Sequence, residues 1–175
     1  ADPAVYAPAT GDWTLRLSGS GYALLALKGL LGGPGFSAAP ADFDGDGKAD
    51  PAVYGDATGD WRVLLSASGY APLTVSGLLG GPGATPCPDD FDGDGKADPA
   101  VCLDLAGDWR VRLSGGGYAL IERPGLLGGP GLAPVPADFD GDGRADPAVR
   151  EDAGRRWRVR LSGSGYAPVE AVLPL

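Results

Sequence analysis

The chain has 175 residues, 23 acidic and 14 basic side chains, a formal net charge of −9 and no histidine. That balance argues against nucleic acid and anionic membrane surfaces as partners, since both attract basic patches. No apolar run approaches the roughly 20 residues that a membrane-spanning helix needs.

Gly (31) and Pro (17) recur at fixed places among apolar segments, which favours an ordered, turn-rich β protein over disorder. No stretch reads as a signal peptide, and any targeting segment is expected either to have been removed or to lie outside this sequence. In chain order, ADPAVY at 1–6 reads as a short strand. Trp13 opens the next strand, LSGSGY at 17–22 is a Gly-rich turn, and Tyr22 leads a further strand. GLLGGPG at 29–35 is a link, and DFDGDGKAD at 42–50 is an acidic loop.

Everything then returns with a period of 48 residues. Trp13, Trp61, Trp109 and Trp157 keep that spacing, as do Tyr22, Tyr70, Tyr118 and Tyr166. The acidic loop recurs at 90–98 and 138–146, and the link at 77–83 and 125–131. Such a period signals a solenoid, a propeller or a linear array. In the clearest copy, ATPCPDDF leads into the loop and DPAVCLD leaves it. AGD is a turn before WRVRLS, where Trp109, Val111 and Leu113 alternate with Arg110, Arg112 and Ser114. GGG is a second turn and YALIERP a fourth strand. The period of two marks strands with distinct faces, and no segment carries the 3.6-residue period of a helix. The expectation is therefore an all-β fold, one repeat domain over 1–175 with units 1–49, 50–97, 98–145 and 146–175. Each unit forms four short strands, which is blade-like. The first unit lacks its first strand and loop. The last closes with AVLPL at 171–175 where a link would stand.

The loop pattern is D-x-D-x-D-G-x-x-D. Calcium takes six to eight oxygen ligands, mostly carboxylates and carbonyls. Asp42, Asp44, Asp46, the Lys48 carbonyl and Asp50 fit the first five ligand positions of an EF-hand loop, with Gly47 at the turn. Asp90, Asp92, Asp94, the Lys96 carbonyl and Asp98 fit again, with Gly95. Asp138, Asp140, Asp142, the Arg144 carbonyl and Asp146 fit a third time, with Gly143. The bidentate Glu of an EF-hand is missing, because the twelfth residue of the first loop is Val53. Close carboxylates repel without a counter-ion, so three Ca²⁺ sites are expected, with a structural role. Asp2 matches only the ninth position and is not expected to hold metal alone.

The segment FDGDGKADPAVY, followed by GDW-R-V and a Gly-rich link, resembles the VCBS/FG-GAP repeat of bacterial surface and secreted proteins. That family is similar to the calcium-loop blades of the integrin α-subunit head. The resemblance implies a β-propeller with a calcium loop in the first hairpin of a blade. It also implies an extracellular or cell-surface location, with adhesion, glycan or surface-protein recognition, or a non-catalytic module of a secreted enzyme. Relatives usually close with more blades than four. This chain is expected to form either a four-bladed ring with one three-stranded blade, or an open end completed by another chain, which gives an assembly or fibre.

Catalysis has little support. Without histidine the commonest general base is missing, and no nucleophile elbow or phosphate loop occurs. Cys87 and Cys102 flank the second acidic loop and are expected to form a cross-strand disulfide, the alternative being two unpaired buried thiols. The tryptophans are expected in the core. Tyr22, Tyr70, Tyr118 and Tyr166 follow Gly-rich turns and are the better candidates for a ligand surface. Arg62, Arg110, Arg112, Arg158 and Arg160 are expected to snorkel or to pair with acidic turns such as Asp60 and Asp108.

Overall fold

The computed structural model describes residues 2–77, 79–151 and 155–172. The central turn of the fourth unit, at 152–154, and the last three residues of AVLPL lie outside them. The described residues form fifteen β-strands, three short 3-10 turns and no α-helix, and none of them forms a helix long and apolar enough to cross a membrane. Two compact units divide the chain, Ala1–Gly81 and Pro82–Leu175.

The first unit holds two sheets. One is β1 (Ala4–Ala7), β2 (Asp12–Leu17) and β3 (Ala23–Leu27). The other is β4 (Phe36–Ala38), β5 (Ala52–Gly55), β6 (Trp61–Leu65) and β7 (Ala71–Val75). The second unit holds β8 (Ala84–Pro86), β9 (Ala100–Leu103), β10 (Asp108–Leu113) and β11 (Ala119–Arg123). Its last sheet is β12 (Leu132–Pro134), β13 (Ala148–Glu151), β14 (Arg156–Leu161) and β15 (Ala167–Val172). Every sheet is an open antiparallel meander, in which each strand pairs with its neighbours in the chain. The first has three strands and the others four, as the sequence leads one to expect. Each four-stranded sheet takes its first strand from residues ahead of the acidic loop, so its bounds are offset from the repeat frame that starts at residue 50. Ring closure is not expressed in the strand pairing.

Alternation decides which side chains enter the core. In β6, Trp61 and Val63 are buried and Arg62 is exposed; in β10, Trp109 and Val111 are buried between half-buried arginines. The second strand of a complete sheet is covered on both faces. AVY in β5 is wholly buried, whereas the same three residues in β1 lie at an edge, and Val5 is 68% exposed against 0% for Val53. Identical sequence thus takes different burial because one copy has an outer strand beside it and the other does not. In the first unit Trp13, Leu15, Leu27, Leu31, Val53 and Leu64 pack as one cluster. In the second, Cys87, Ala100, Cys102, Trp109, Val111 and Val149 do so.

The turn before each tryptophan meets the link that follows the sheet. Gly59 has φ +72, and a Cβ there would lie 2.4 Å from the Leu79 carbonyl oxygen. Both facts demand glycine. The expected outcome for Gly59→Ala is a loss of more than about 1 kcal/mol, since alanine is strained at positive φ and also collides here. Gly77→Ala, with φ +57 and open space around its Cβ, carries the φ penalty alone. Thermal unfolding of the two variants checks that Gly59→Ala is the more destabilised.

Candidate metal sites

Each acidic loop joins the first two strands of its sheet. A backbone hydrogen bond closes its base: Asp50 N–H donates to Ala41 at 2.7 Å, Asp98 to Asp89 at 2.7 Å, and Asp146 to Ala137 at 2.8 Å. Inside the first loop Gly45 and Gly47 have φ of 80° and 83°, the left-handed region that glycine enters without cost. This curls the chain around its first carboxylate. Asp42 Oδ1 accepts from the Gly45 amide at 2.7 Å, and Oδ2 from the Gly47 amide at 2.7 Å. Asp90 repeats both bonds with Gly93 and Gly95, and Asp138 with Gly141 and Gly143.

The ninth carboxylate does something the spacing does not reveal. Asp50, Asp98 and Asp146 are fully buried. One oxygen of Asp50 accepts from the Phe43 amide at 2.9 Å, inside its own loop. The other accepts from the Ser66 amide at 2.7 Å, in the turn that follows β6. Asp98 binds Phe91 and Ser114 in the same way, and Asp146 binds Phe139 and Ser162. Asp2, with no loop ahead of it, still accepts from the Ser18 amide at 2.9 Å and from its hydroxyl. The serines extend the contact: Ser114 Oγ donates to Asp94 Oδ2, and Ser162 Oγ to Asp142 Oδ2, both at 3.0 Å. Ser18, Ser66, Ser114 and Ser162 are functional residues that sequence reasoning missed. Their signal was the same 48-residue spacing, held by a residue type common enough in turns to be passed over.

The loop phenylalanine is the second anchor. Phe43, Phe91 and Phe139 lie 6.0, 6.2 and 6.1 Å from the rings of Trp61, Trp109 and Trp157, the spacing at which tilted and edge-on aromatic pairs attract.

With the loop held this way, three carboxylates in each converge. Asp42, Asp44 and Asp50 each place an oxygen within 4.8 Å of the others, as do Asp90, Asp92 and Asp94, and Asp138, Asp140 and Asp146. These three clusters can hold a metal ion. Between them the sets use the first, third, fifth and ninth positions of the motif. Asp46 is turned elsewhere in the first loop, where its Oδ2 takes the Lys48 ammonium at 2.7 Å; that hydrogen bond lowers its pKa. Burial pushes the Asp50 carboxyl up, and Asp98 up to about 6. Ionisation at these positions is disfavoured by desolvation, a cost that a nearby cation offsets. An all-oxygen, carboxylate-rich donor set suits a hard divalent ion and not a soft one.

The other expected site residues have structural places in the hairpins and the core. Tyr22 is exposed, while Tyr70, Tyr118 and Tyr166 are half-buried. All four have positive φ, between 61° and 67°, and each amide donates to the leucine five residues earlier at 2.8 Å. They close the hairpins between the third and fourth strands of their repeats. Trp13, Trp61 and Trp109 are core residues, whereas Trp157 is only half-buried.

The cysteines are free and buried, not disulfide-bonded. Cys102 faces Thr85 across the sheet, and the Cys87 amide bonds Ala100. The two residues are therefore diagonal neighbours across the sheet and not a directly facing pair, whereas a disulfide needs a Cβ separation of about 3.8 Å. Burial raises both thiols, Cys102 to about 12. Among the described residues Asp60 and Asp108 do not form ion pairs with arginine either. They accept from the Gly77 and Gly125 amides at 2.7 Å, while Arg110 and Arg158 reach across the strands to Glu122 and Glu170.

Comparison with protein-family models, with curated proteins and with solved structures gives no match.

Two outcomes are expected. Asp50→Asn costs about 1–3 kcal/mol even in a chelator, because an amide nitrogen cannot accept the bond that one buried N–H donates. Asp44→Asn, less buried, costs less under the same conditions; chemical denaturation of both variants measures the difference. Alkylation under denaturing conditions without reductant adds two adducts per chain by intact mass. In the folded state the same reagent adds none at neutral pH, since both thiols are buried and protonated.

Proposed function

We propose that the chain is a non-enzymatic, calcium-clamped β-propeller module that acts outside the cell by binding a glycan or a protein. The observation that carries this reading is the threefold recurrence of one device: an acidic loop folded around its own carboxylates and tied to the serine turn of its own sheet. A bound Ca²⁺ would supply positive charge to each cluster, and three would bring the formal net charge from −9 to about −3. The carbonyls of Lys48, Lys96 and Arg144, together with Asp46, Asp98 and Asp142, would complete the ligand sets. The loops are then stability elements, and recognition falls to the surface that the four meanders present. The likeness of FDGDGKADPAVY to VCBS/FG-GAP repeats supports this assignment.

A second reading, a subunit of a calcium-stabilised extracellular assembly, is favoured by the edge of β1. Among the described residues that strand has no outer partner, where β5, β9 and β13 each have one. An unpaired edge is a template for strand addition, so self-association is the alternative to ligand binding.

Two measurements test these readings. Chelation is expected to lower the melting temperature by several degrees, since each site filled at about 100 times its Kd contributes about 2.7 kcal/mol; an unchanged melt contradicts metal-clamped loops. Mass in solution separates the two roles. A monomer in calcium supports the binding module, whereas concentration-dependent polymers that dissolve in chelator support the assembly.

A further inference from the structure

In the unit formed by residues 82–175, a cavity of about 300 Å³ opens between the third and fourth sheets. That volume is at the lower end of the range that takes small molecules. Phe91, Trp109 and Ile121 line it with apolar surface, and Arg123, Arg144 and Tyr166 line it with polar groups. The repeat shows that Arg123 is not there for the fold. The 48-residue frame puts Leu27 and Val75 at the same place, so an apolar residue satisfies the strand. In this copy alone the position carries a cation, which lies over the Tyr166 ring at 5.3 Å from its centroid.

Neither Arg123 nor Arg144 has a carboxylate within ion-pair distance among the described residues. Both side chains are exposed. Asp92 is the acidic residue in the lining, but its oxygens are turned to its own loop and turn, accepting from the Asp94 amide at 3.2 Å and the Gly115 amide at 3.0 Å. The Trp109 indole N–H is likewise spent, donating to the Leu127 carbonyl at 2.7 Å. Arg123 Nη1 donates to the Glu122 carbonyl at 3.2 Å, so what remains for a ligand is an apolar floor and the other N–H groups of two guanidinium groups that have no ion pair. In a chain of net charge −9, two guanidinium groups without an ion pair thus line one cavity.

We infer that this cavity binds a small organic anion, a carboxylate carried on an aromatic or compact aliphatic body. The body rests against Phe91, Trp109 and Ile121, and the carboxylate meets the planar fork of an arginine, which matches it with two parallel hydrogen bonds. The stacked Tyr166 ring holds the Arg123 plane in place. This names a ligand class for the binding-module reading and rests on that reading for its biological role, though not for the chemistry of the site.

Benzoate is the probe, with benzyl alcohol as its uncharged counterpart, titrated at fixed calcium so that the charge state of Asp92's loop does not vary. Heteronuclear NMR follows the Arg123 side-chain N–H and the Tyr166 and Ile121 signals. Benzoate is expected to shift these three together, with benzyl alcohol binding about tenfold more weakly or worse, the factor that losing one charge-assisted hydrogen bond gives. Arg123→Leu, which installs the residue found at position 27, is expected to keep the melting temperature and lose about tenfold in benzoate affinity. Arg123→Lys keeps part of it, and Arg144→Leu serves as the second variant. No shift at these residues, equal binding of benzyl alcohol, or full affinity in Arg123→Leu overturns the proposal. A cavity that fails in a calcium-bound monomer leaves the binding-module reading standing with its ligand elsewhere. A chain that polymerises but still binds benzoate here fails the other way.

Discussion

The structure depends on one buried carboxylate per repeat. Asp50, Asp98 and Asp146 each accept one amide from their own loop and one from the serine turn two strands later. A carboxylate with both oxygens bonded to backbone N–H is a strong tie, and here it spans the sheet from its first hairpin to its last. Its burial has a cost, visible in the raised pKa of Asp50 and Asp98. In the first and third loops two other carboxylates are drawn close to it by the same fold. The anchor and the candidate metal site are thus one arrangement: the tie that shapes the loop also creates the charge density that a cation relieves. Asp2 shows that the two roles separate, since it keeps the tie to Ser18 with no loop and no cluster.

The repeats are alike in backbone and differ where a side chain changes hands. Tyr54 donates its hydroxyl to the Leu79 carbonyl and accepts from the Gly81 amide. That leaves the indole N–H of Trp61 without a partner among the described residues. One repeat later the tyrosine is replaced by Cys102, and the Leu127 carbonyl accepts both the indole N–H of Trp109 at 2.7 Å and the Cys102 thiol at 3.7 Å. The smaller thiol leaves room at the same acceptor for the indole, where the Tyr54 hydroxyl takes it alone. Arg123 is the other departure of this kind, at a strand position where the repeat otherwise uses Leu27 and Val75.

Much of this was legible in the chain. The period of 48, fixed by four tryptophans and three acidic loops, gave the number of sheets, the four strands in each complete one and the missing strand of the first. Gly47 and its copies announced the loop turn. Other features were hidden for physical reasons. Asp50 looks like one more ligand in the pattern, and only its partners show that it is chiefly an anchor. The serines carry no chemistry that stands out in a turn. The spacing of Cys87 and Cys102 around the loop suits a cross-strand disulfide only if the register brings them opposite one another, and the observed register sets Cys102 opposite Thr85. Asp60 and Asp108 looked like partners for the neighbouring arginines, but backbone amides in the links compete for them more closely. The cavity depends on how two sheets meet, which no local pattern encodes.

The most direct test of the account is the number of calcium ions bound per chain at saturation, measured by equilibrium dialysis on the intact protein. Three acidic clusters of the same build predict three ions, and two when Asp90 and Asp92 are both replaced by asparagine in one loop. A chain that binds none, or whose count is unchanged by that replacement, would contradict the claim that these loops are metal sites.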